Sequence, residues 1–227
     1  MLNAPKWATI AGMRGEVGIS TVRSRLARGR IQYARRVEQG DNKMLRRIMR
    51  SGREGRRSDW WEDTRRCLEW AQIGEDELSV VSGSEVKRRV AGKVEEEWRM
   101  ELEMKSSLQL YRKFKLKMRE EDYGGGIEAK VWFAARTNCM MLGDRRWGEG
   151  RECRMCGYEK EDQMHFILDC EWMEQYRQDA VELQRPRGPD REETLGCFLF
   201  GEESEVERRG VVLRMWRARE GMMNMEE

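Results

Sequence analysis

The chain has 227 residues, 38% of them charged and 39% hydrophobic, with a mean hydropathy of −0.88. No apolar run approaches the roughly 18 residues of a membrane span, and no apolar core follows Met1 as a secretory leader requires, so an intracellular chain with no membrane partner is expected. The formal net charge of +2 conceals an asymmetry: residues 1–57 hold 15 Lys and Arg against 4 Asp and Glu, and the remainder holds 29 against 38. A basic arm ahead of an acidic body suits a polyanionic partner, or neutralisation of one end by the other. The single histidine excludes every site built on two or more.

Alternation with period two is rare and helical spacing common, so the expected fold is mainly α, a helical chain with one small metal module near residues 145–176. In chain order, residues 16–38 read as an amphipathic helix weakened by glycine, carrying Val17, Val22, Leu26, Ile31, Tyr33 and Val37 among arginines. Asp41 suits the N-cap of a short helix bearing Met44, Leu45, Ile48 and Met49. Ser51 to Arg57 reads as a flexible basic linker, closing an arm at 1–57. A helix opened by Ser58 places Trp61, Thr64, Leu68 and Ala71 on one face. Val86, Val90, Val94, Trp98 and Leu102 recur every four residues, and Leu108, Tyr111 and Phe114 extend the pattern to about Lys117; such a stripe is a packing face. Tyr123 and three glycines end this second region, 58–126. A helix over 127–142 leads through Arg145, Arg146 and Trp147 into the cysteine cluster, giving a third region, 127–185, with a helix at 171–184. A turn at Pro186 and Pro189 precedes a tail, 186–227, with a last amphipathic helix at 204–220.

Six cysteines without a leader do not suggest a disulfide framework. Cys67, Cys139 and Cys197 stand alone and read as small buried hydrophobes. Cys153, Cys156, His165 and Cys170 form C-x2-C-x8-H-x4-C, the donor set of one tetrahedral structural Zn2+. All four positions are filled by protein, so no metal-bound water is expected. Gly157 is free to take a positive φ behind the first pair, and Tyr158 to Met164 reads as an exposed polar loop. His165 and Cys170 are five apart, about 140° around an ideal helix, so a distorted turn between them, or a helix starting beyond them, is expected. In so small a module the metal supplies folding free energy on the order of 10 kcal/mol.

Ala135-Arg136-Thr137-Asn138, the charged link with Trp147 and the Cys-Cys-Gly…His-Phe-Ile-Leu-Asp-Cys run resemble the zinc-binding region near the C-terminus of non-LTR (LINE-type) reverse transcriptases. Leu110-Tyr111-Arg112-Lys113 and Gly15-Glu16-Val17-Gly18 are similar to segments that follow the polymerase there. The resemblance is specific over 106–176 and loose over 14–105. It implies a post-polymerase fragment, with a polymerase domain upstream in an intact element, whose zinc region holds template RNA or target DNA during target-primed reverse transcription. The polymerase signature, an aromatic-x-Asp-Asp turn, is not in the sequence, and no catalysis is expected of this chain. Arg187-Gly188-Pro189-Asp190 with Glu203 or Glu205 mimics a nuclease signature found in some such elements, but a glycine interrupts it, and Pro-Asp in a turn is the ordinary explanation.

Guanidinium groups match phosphate oxygens and stack on bases. The arm offers Arg23, Arg25, Arg28, Arg30, Arg35 and Arg36, then Arg46, Arg47, Arg50, Arg53, Arg56 and Arg57. Arg136, Arg145, Arg146, Arg151 and Arg154 form a second candidate patch beside the cysteines, with Trp147 as a stacking platform. The expectation is therefore a non-catalytic, zinc-stabilised protein that binds RNA or DNA. The competing one is a structural or protein-interaction module in which helix 84–117 packs on a partner and the basic arm is incidental.

Overall fold

A computed structural model describes residues 4, 8–54, 59–143, 151–180, 183, 190–201 and 204–223. The fold is mainly α: no strand forms among the described residues, and one isolated antiparallel bridge joins Val17 to Glu120. The chain divides into two compact units, Ile19–Met100 and the discontinuous pair Met1–Gly18 with Glu101–Glu227.

Residues 16–38 do not make one helix. Gly18, at φ 64°, ends α1 (Ile10–Val17) in the left-handed conformation that glycine adopts without a Cβ penalty. Thr21 then opens α2 (Val22–Gln39), its hydroxyl accepting from the Ser24 N–H at 3.1 Å. The cap of α3 (Lys43–Arg53) is Asn42 rather than Asp41, accepting from the Leu45 N–H at 3.0 Å. Helix α3 runs through Ser51 to Arg53, so the expected linker is helical at its start; residues 55–58 lie outside the described residues. Helix α4 (Asp59–Trp70) buries Trp61, Thr64 and Leu68, and α2 buries Ala27, Ile31 and Ala34. In α5 (Gly83–Glu103), Val86, Val90, Val94, Trp98 and Leu102 are all 4% exposed or less. The stripe is buried, as a packing face should be. The helix also ends earlier than its apolar pattern: a 3-10 turn at Ser106–Leu108 precedes α6 (Gln109–Phe114).

In the discontinuous unit α7 (Gly126–Arg136) is apolar almost all round and sits at the centre, burying every residue from Val131 to Arg136. It stops six residues short of the expected end. The Thr137 hydroxyl donates to the Phe133 carbonyl at 2.7 Å, and Asn138 turns left-handed at φ 47°. The helix expected over 171–184 is a 3-10 turn, Glu171–Met173, and a short α8 (Glu174–Arg177). Helices α9 (Arg191–Phe200) and α10 (Glu205–Met223) close the core with Leu195, Phe198, Leu199, Val211, Val212 and Met215. Arg208 is 1% exposed and donates to the Cys197 and Phe198 carbonyls at 2.9 and 2.8 Å, satisfying the end of α9.

The expected arm at 1–57 is not one body, because Glu16 belongs to the other unit's core. Its carboxylate is fully buried, 3.2 Å from Arg136 Nε and 3.7 Å from Lys115 Nζ, and accepts from the Tyr123 hydroxyl. Its carbonyl accepts from the Glu121 N–H at 2.9 Å. A buried carboxylate needs such partners, and they lie a hundred residues away in sequence. The four expected regions therefore give way to two units, divided after Gly18 and after Met100.

Candidate metal centre and basic faces

The first two cysteines are aimed by a tight turn. The Gly157 N–H donates to the Cys153 carbonyl and the Cys153 N–H to the Tyr158 carbonyl, both at 2.7 Å. Gly157 has φ 72°, the value anticipated for a glycine behind this pair. The second pair is brought together by a π turn, His165–Asp169, in which the Cys170 N–H donates to the His165 carbonyl at 2.8 Å. Pairing five residues apart rather than four widens the turn and returns Cys170 to the side occupied by His165. Of the two arrangements the spacing allows, this is the distorted turn. Asp162 starts it, accepting from the His165 N–H at 2.8 Å. Burial raises the Asp162 carboxyl pKa, but the His165 N–H and the Lys160 ammonium outweigh it, and the net shift is downward.

The four ligand atoms all lie within 4.8 Å of one another. Cys156 Sγ is 3.3 Å from His165 Nε2, and Cys153 Sγ is 3.9 Å from Cys170 Sγ. Cys153, His165 and Cys170 are buried and Cys156 is partly so; all the cysteines are free. The group is placed to bind a metal ion. The Cys170 thiol, hydrogen-bonded to Cys153, pulls the Cys153 pKa down against its burial, helped by the Cys156 and Met155 N–H groups. The same contact pushes Cys170 up, and burial pushes Cys156 up. Three thiols crowded in this way cannot all ionise without a cation among them.

Two supports of this site carry no signature in the sequence. Arg177, 4% exposed, donates to the Cys170 carbonyl at 2.8 Å and the Ile167 carbonyl at 3.4 Å, fixing the end of the π turn. The Tyr158 ring stacks on the His165 imidazole, centroids 4.6 Å apart and planes 8° from parallel. The loop between Cys156 and His165 is not wholly exposed, as its polarity suggested. Glu161 and Gln163 are buried. Glu161 accepts from Arg219 Nε at 2.6 Å and Nη2 at 2.7 Å and from the Gly143 N–H at 2.7 Å. Gln163 donates to the Ala135 carbonyl. Satisfied partners allow these polar groups to leave water.

The candidate phosphate contacts separate. Arg136 is withdrawn from solvent: it pairs with Glu16 at 3.2 Å and Glu121 at 3.7 Å, and its guanidinium lies 4.7 Å from the Phe200 ring centroid. It is a core ion-pair residue. Arg151 and Arg154 are exposed at the entry to the metal module; Arg145, Arg146 and Trp147 lie outside the described residues. On α2, Arg28 and Arg36 are exposed, as are Arg23 and Arg25. Arg30 pairs with Asp63 at 2.6 Å, and Arg35 donates to Gln32 and Gln39. Of the isolated cysteines only Cys139 is buried; Cys67 is intermediate and Cys197 exposed. Asp190 is the N-cap of α9, accepting from the Glu193 N–H at 3.1 Å, and Glu205 accepts from Trp132 Nε1 at 3.1 Å. Both acids thus have packing roles. Compared with protein-family models, with curated proteins and with solved structures, the chain matches none.

Proposed function

We propose that the chain is a non-catalytic nucleic-acid-binding protein whose larger unit is held by one structural Zn2+ on Cys153, Cys156, His165 and Cys170. For Zn–S near 2.3 Å and Zn–N near 2.0–2.1 Å, a tetrahedron has S–S edges of about 3.8 Å and S–N edges of about 3.6 Å. The observed 3.9 and 3.3 Å are close to both edges. Soft thiolates with one imidazole favour zinc over the hard cations, and four protein donors suit a structural role. Bound there, the ion replaces the thiol protons and ties the Cys153 turn to the π turn; Arg177 and Tyr158 hold the ligands in place.

The observation that carries the nucleic-acid reading is the outer face of α2. Arg25, Arg28 and Arg36 are exposed on that face and make no ion pair among the described residues, whereas Arg23, also exposed, lies at the start of the helix on the side of its buried stripe. From Val22 to Arg53 there are eleven basic residues against Glu38 and Asp41. Exposed guanidinium groups along one helix follow a phosphate backbone without reading bases. The resemblance to the post-polymerase region of LINE-type elements agrees with this partner, and we read the chain as such a fragment.

Filter binding of a 20-nucleotide RNA and a 20-base-pair DNA across a KCl series tests the reading. Three phosphate contacts give a log–log salt slope of roughly −2 to −3 on duplex DNA, and Arg28→Ala with Arg36→Ala reduces its magnitude by about 2. Absent binding, or a slope unchanged in the double variant, rejects it. Native mass spectrometry reads the metal: one zinc per chain is expected, and a metal-free folded chain rejects the zinc assignment.

A further inference from the structure

The four candidate ligands differ in how far solvent reaches them. Cys153, Cys170 and His165 are 1%, 0% and 4% exposed, whereas Cys156 is only partly buried. Cys156 lines a cleft of about 360 Å3 that has Gly157, Tyr158, Asp169, Glu171 and Arg191 among its walls. Gly157 adds no side chain beside the sulfur, and the space a Cβ would occupy there is open. Neither Cys153 nor Cys170 borders the cleft. A small solute arriving from water therefore meets the Cys156 sulfur before the other two.

We propose that Cys156 is a site of oxidation by peroxides, whose modification closes a Cys153–Cys156 disulfide and releases the metal. The proposal rests on the zinc reading above. Coordination leaves all three thiols deprotonated, so access is what separates their reactivity. In the first step Cys156 Sγ attacks one peroxide oxygen. An S–O bond forms, the O–O bond breaks and hydroxide leaves, the sulfur giving two electrons to the peroxide. A second thiolate then attacks the sulfenic sulfur; the S–S bond forms, the S–O bond breaks and a second hydroxide leaves. Two thiolates and one hydrogen peroxide thus give one disulfide and two hydroxide ions. The ligand atoms all lie within 4.8 Å of one another, so a second sulfur has less than about 3 Å to travel to bonding distance. Cys153 is the partner the local structure favours. It shares with Cys156 a tight turn closed by the Gly157 N–H on the Cys153 carbonyl. Cys170 lies on the π turn, its carbonyl held by Arg177 at 2.8 Å. With Cys153 and Cys156 withdrawn, only two of the four donors of a structural site remain.

The test uses the zinc-loaded full chain carrying Cys67→Ser and Cys197→Ser, which removes the partly and fully exposed thiols outside the quartet. Circular dichroism checks its fold, and the wild-type chain, mapped by the same peptides, serves if it fails. Hydrogen peroxide is added at neutral pH, released zinc is followed with a chromogenic chelator, and dimedone traps sulfenic acid; peptide mass spectrometry locates the products. One zinc freed per disulfide is expected, with early dimedone label on Cys156 at least roughly tenfold above that on Cys153 or Cys170. Dithiothreitol followed by added zinc should restore the metal content. Early label on Cys153 or Cys170, a disulfide that includes Cys170, or zinc retained after peroxide overturns the proposal. A chain that holds no zinc sinks the metal reading and this proposal together, whereas a chain that holds zinc while Cys156 stays unmodified sinks this proposal alone.

Discussion

Arg219→Met isolates a charge deep in the core. In the wild type Glu161 and Arg219 are 2% and 3% exposed and joined by two hydrogen bonds, at 2.6 and 2.7 Å. Methionine keeps most of the arginine's stem volume but leaves the carboxylate with one donor, the Gly143 N–H. Removing one partner of a buried ion pair costs about 3–5 kcal/mol, because the other charge has been desolvated without compensation. For a chain of this size that corresponds to a fall in Tm of roughly 6–20 °C. Glu161→Gln combined with Arg219→Met is expected to recover at least about 1–2 kcal/mol of the loss, since no buried charge remains. Glu161 lies between Cys156 and His165, so release of zinc to a chelator is expected to speed up in the same order. Urea denaturation of the zinc-loaded protein, with all three variants completing a double-mutant cycle, provides the assay. A loss below about 1 kcal/mol in the single variant, or a double variant as unstable as the sum of the two, would refute the reasoning.

His165→Ala removes one of the four donors, and colorimetric zinc analysis after gel filtration is expected to find less than one metal per chain; full retention would sink the ligand set. Gly196→Ala places a Cβ into the Phe114 ring where α9 crosses α6, a clash expected to destabilise by about 1–3 kcal/mol despite the better helix propensity of alanine, and a smaller side chain at Phe114 should relieve it. Gly157→Ala has space around it but must hold φ 72°, so a loss of about 1–2 kcal/mol, seen as weaker zinc affinity in a competition titration, is expected. Burial raises the Glu121 pKa, but hydrogen bonds from Lys115 and Arg119 outweigh it, and the folded value lies below the ordinary 4.5. Its stabilisation is therefore present above pH 4.5 and lost as the pH falls through the folded value. The stability difference between wild type and Glu121→Gln should shrink as the pH falls below 4.5; a constant difference would contradict the assignment.

The metal quartet was legible because cysteine and histidine spacing is constrained by coordination, and the five-residue step from His165 to Cys170 excluded a regular helix through both, leaving a distorted turn as one of two arrangements. The valine–tryptophan stripe of α5 was legible for a similar reason, since apolar periodicity survives whatever it packs against. What could not be read was the fate of individual charges. Glu16, Arg136, Glu161, Arg177, Arg208 and Arg219 are buried, and nothing in a local window separates them from their many solvated neighbours; only long-range partners do. The same partners decided the domain boundary, because a basic composition up to Arg57 says nothing of where Glu16 finds its counter-charges. Helix ends failed where one polar residue decided them: Thr137 and Asn138 stopped α7 short of its apolar pattern, and Asn42 took the cap that its neighbour Asp41 suited equally well.

The two stretches that make up the larger unit meet closely, Arg14 reaching Glu101 at 2.6 Å. Residues 19–100 are thus a loop hung between neighbouring points, and closing it costs the larger unit about 4 kcal/mol of chain entropy. That sets an order of events. The inserted unit is contiguous and dominated by local helices, so it is free to fold by itself, whereas the other waits for residues 10–17 to find their place beside α7. A folded insert presents its two ends as a shorter effective loop, and the entropy still to be lost falls accordingly. Replacing residues 19–100 by a short flexible linker should therefore speed the folding of the unit that carries the cysteine–histidine quartet, and destabilising the insert should slow it without a change in any contact within that quartet.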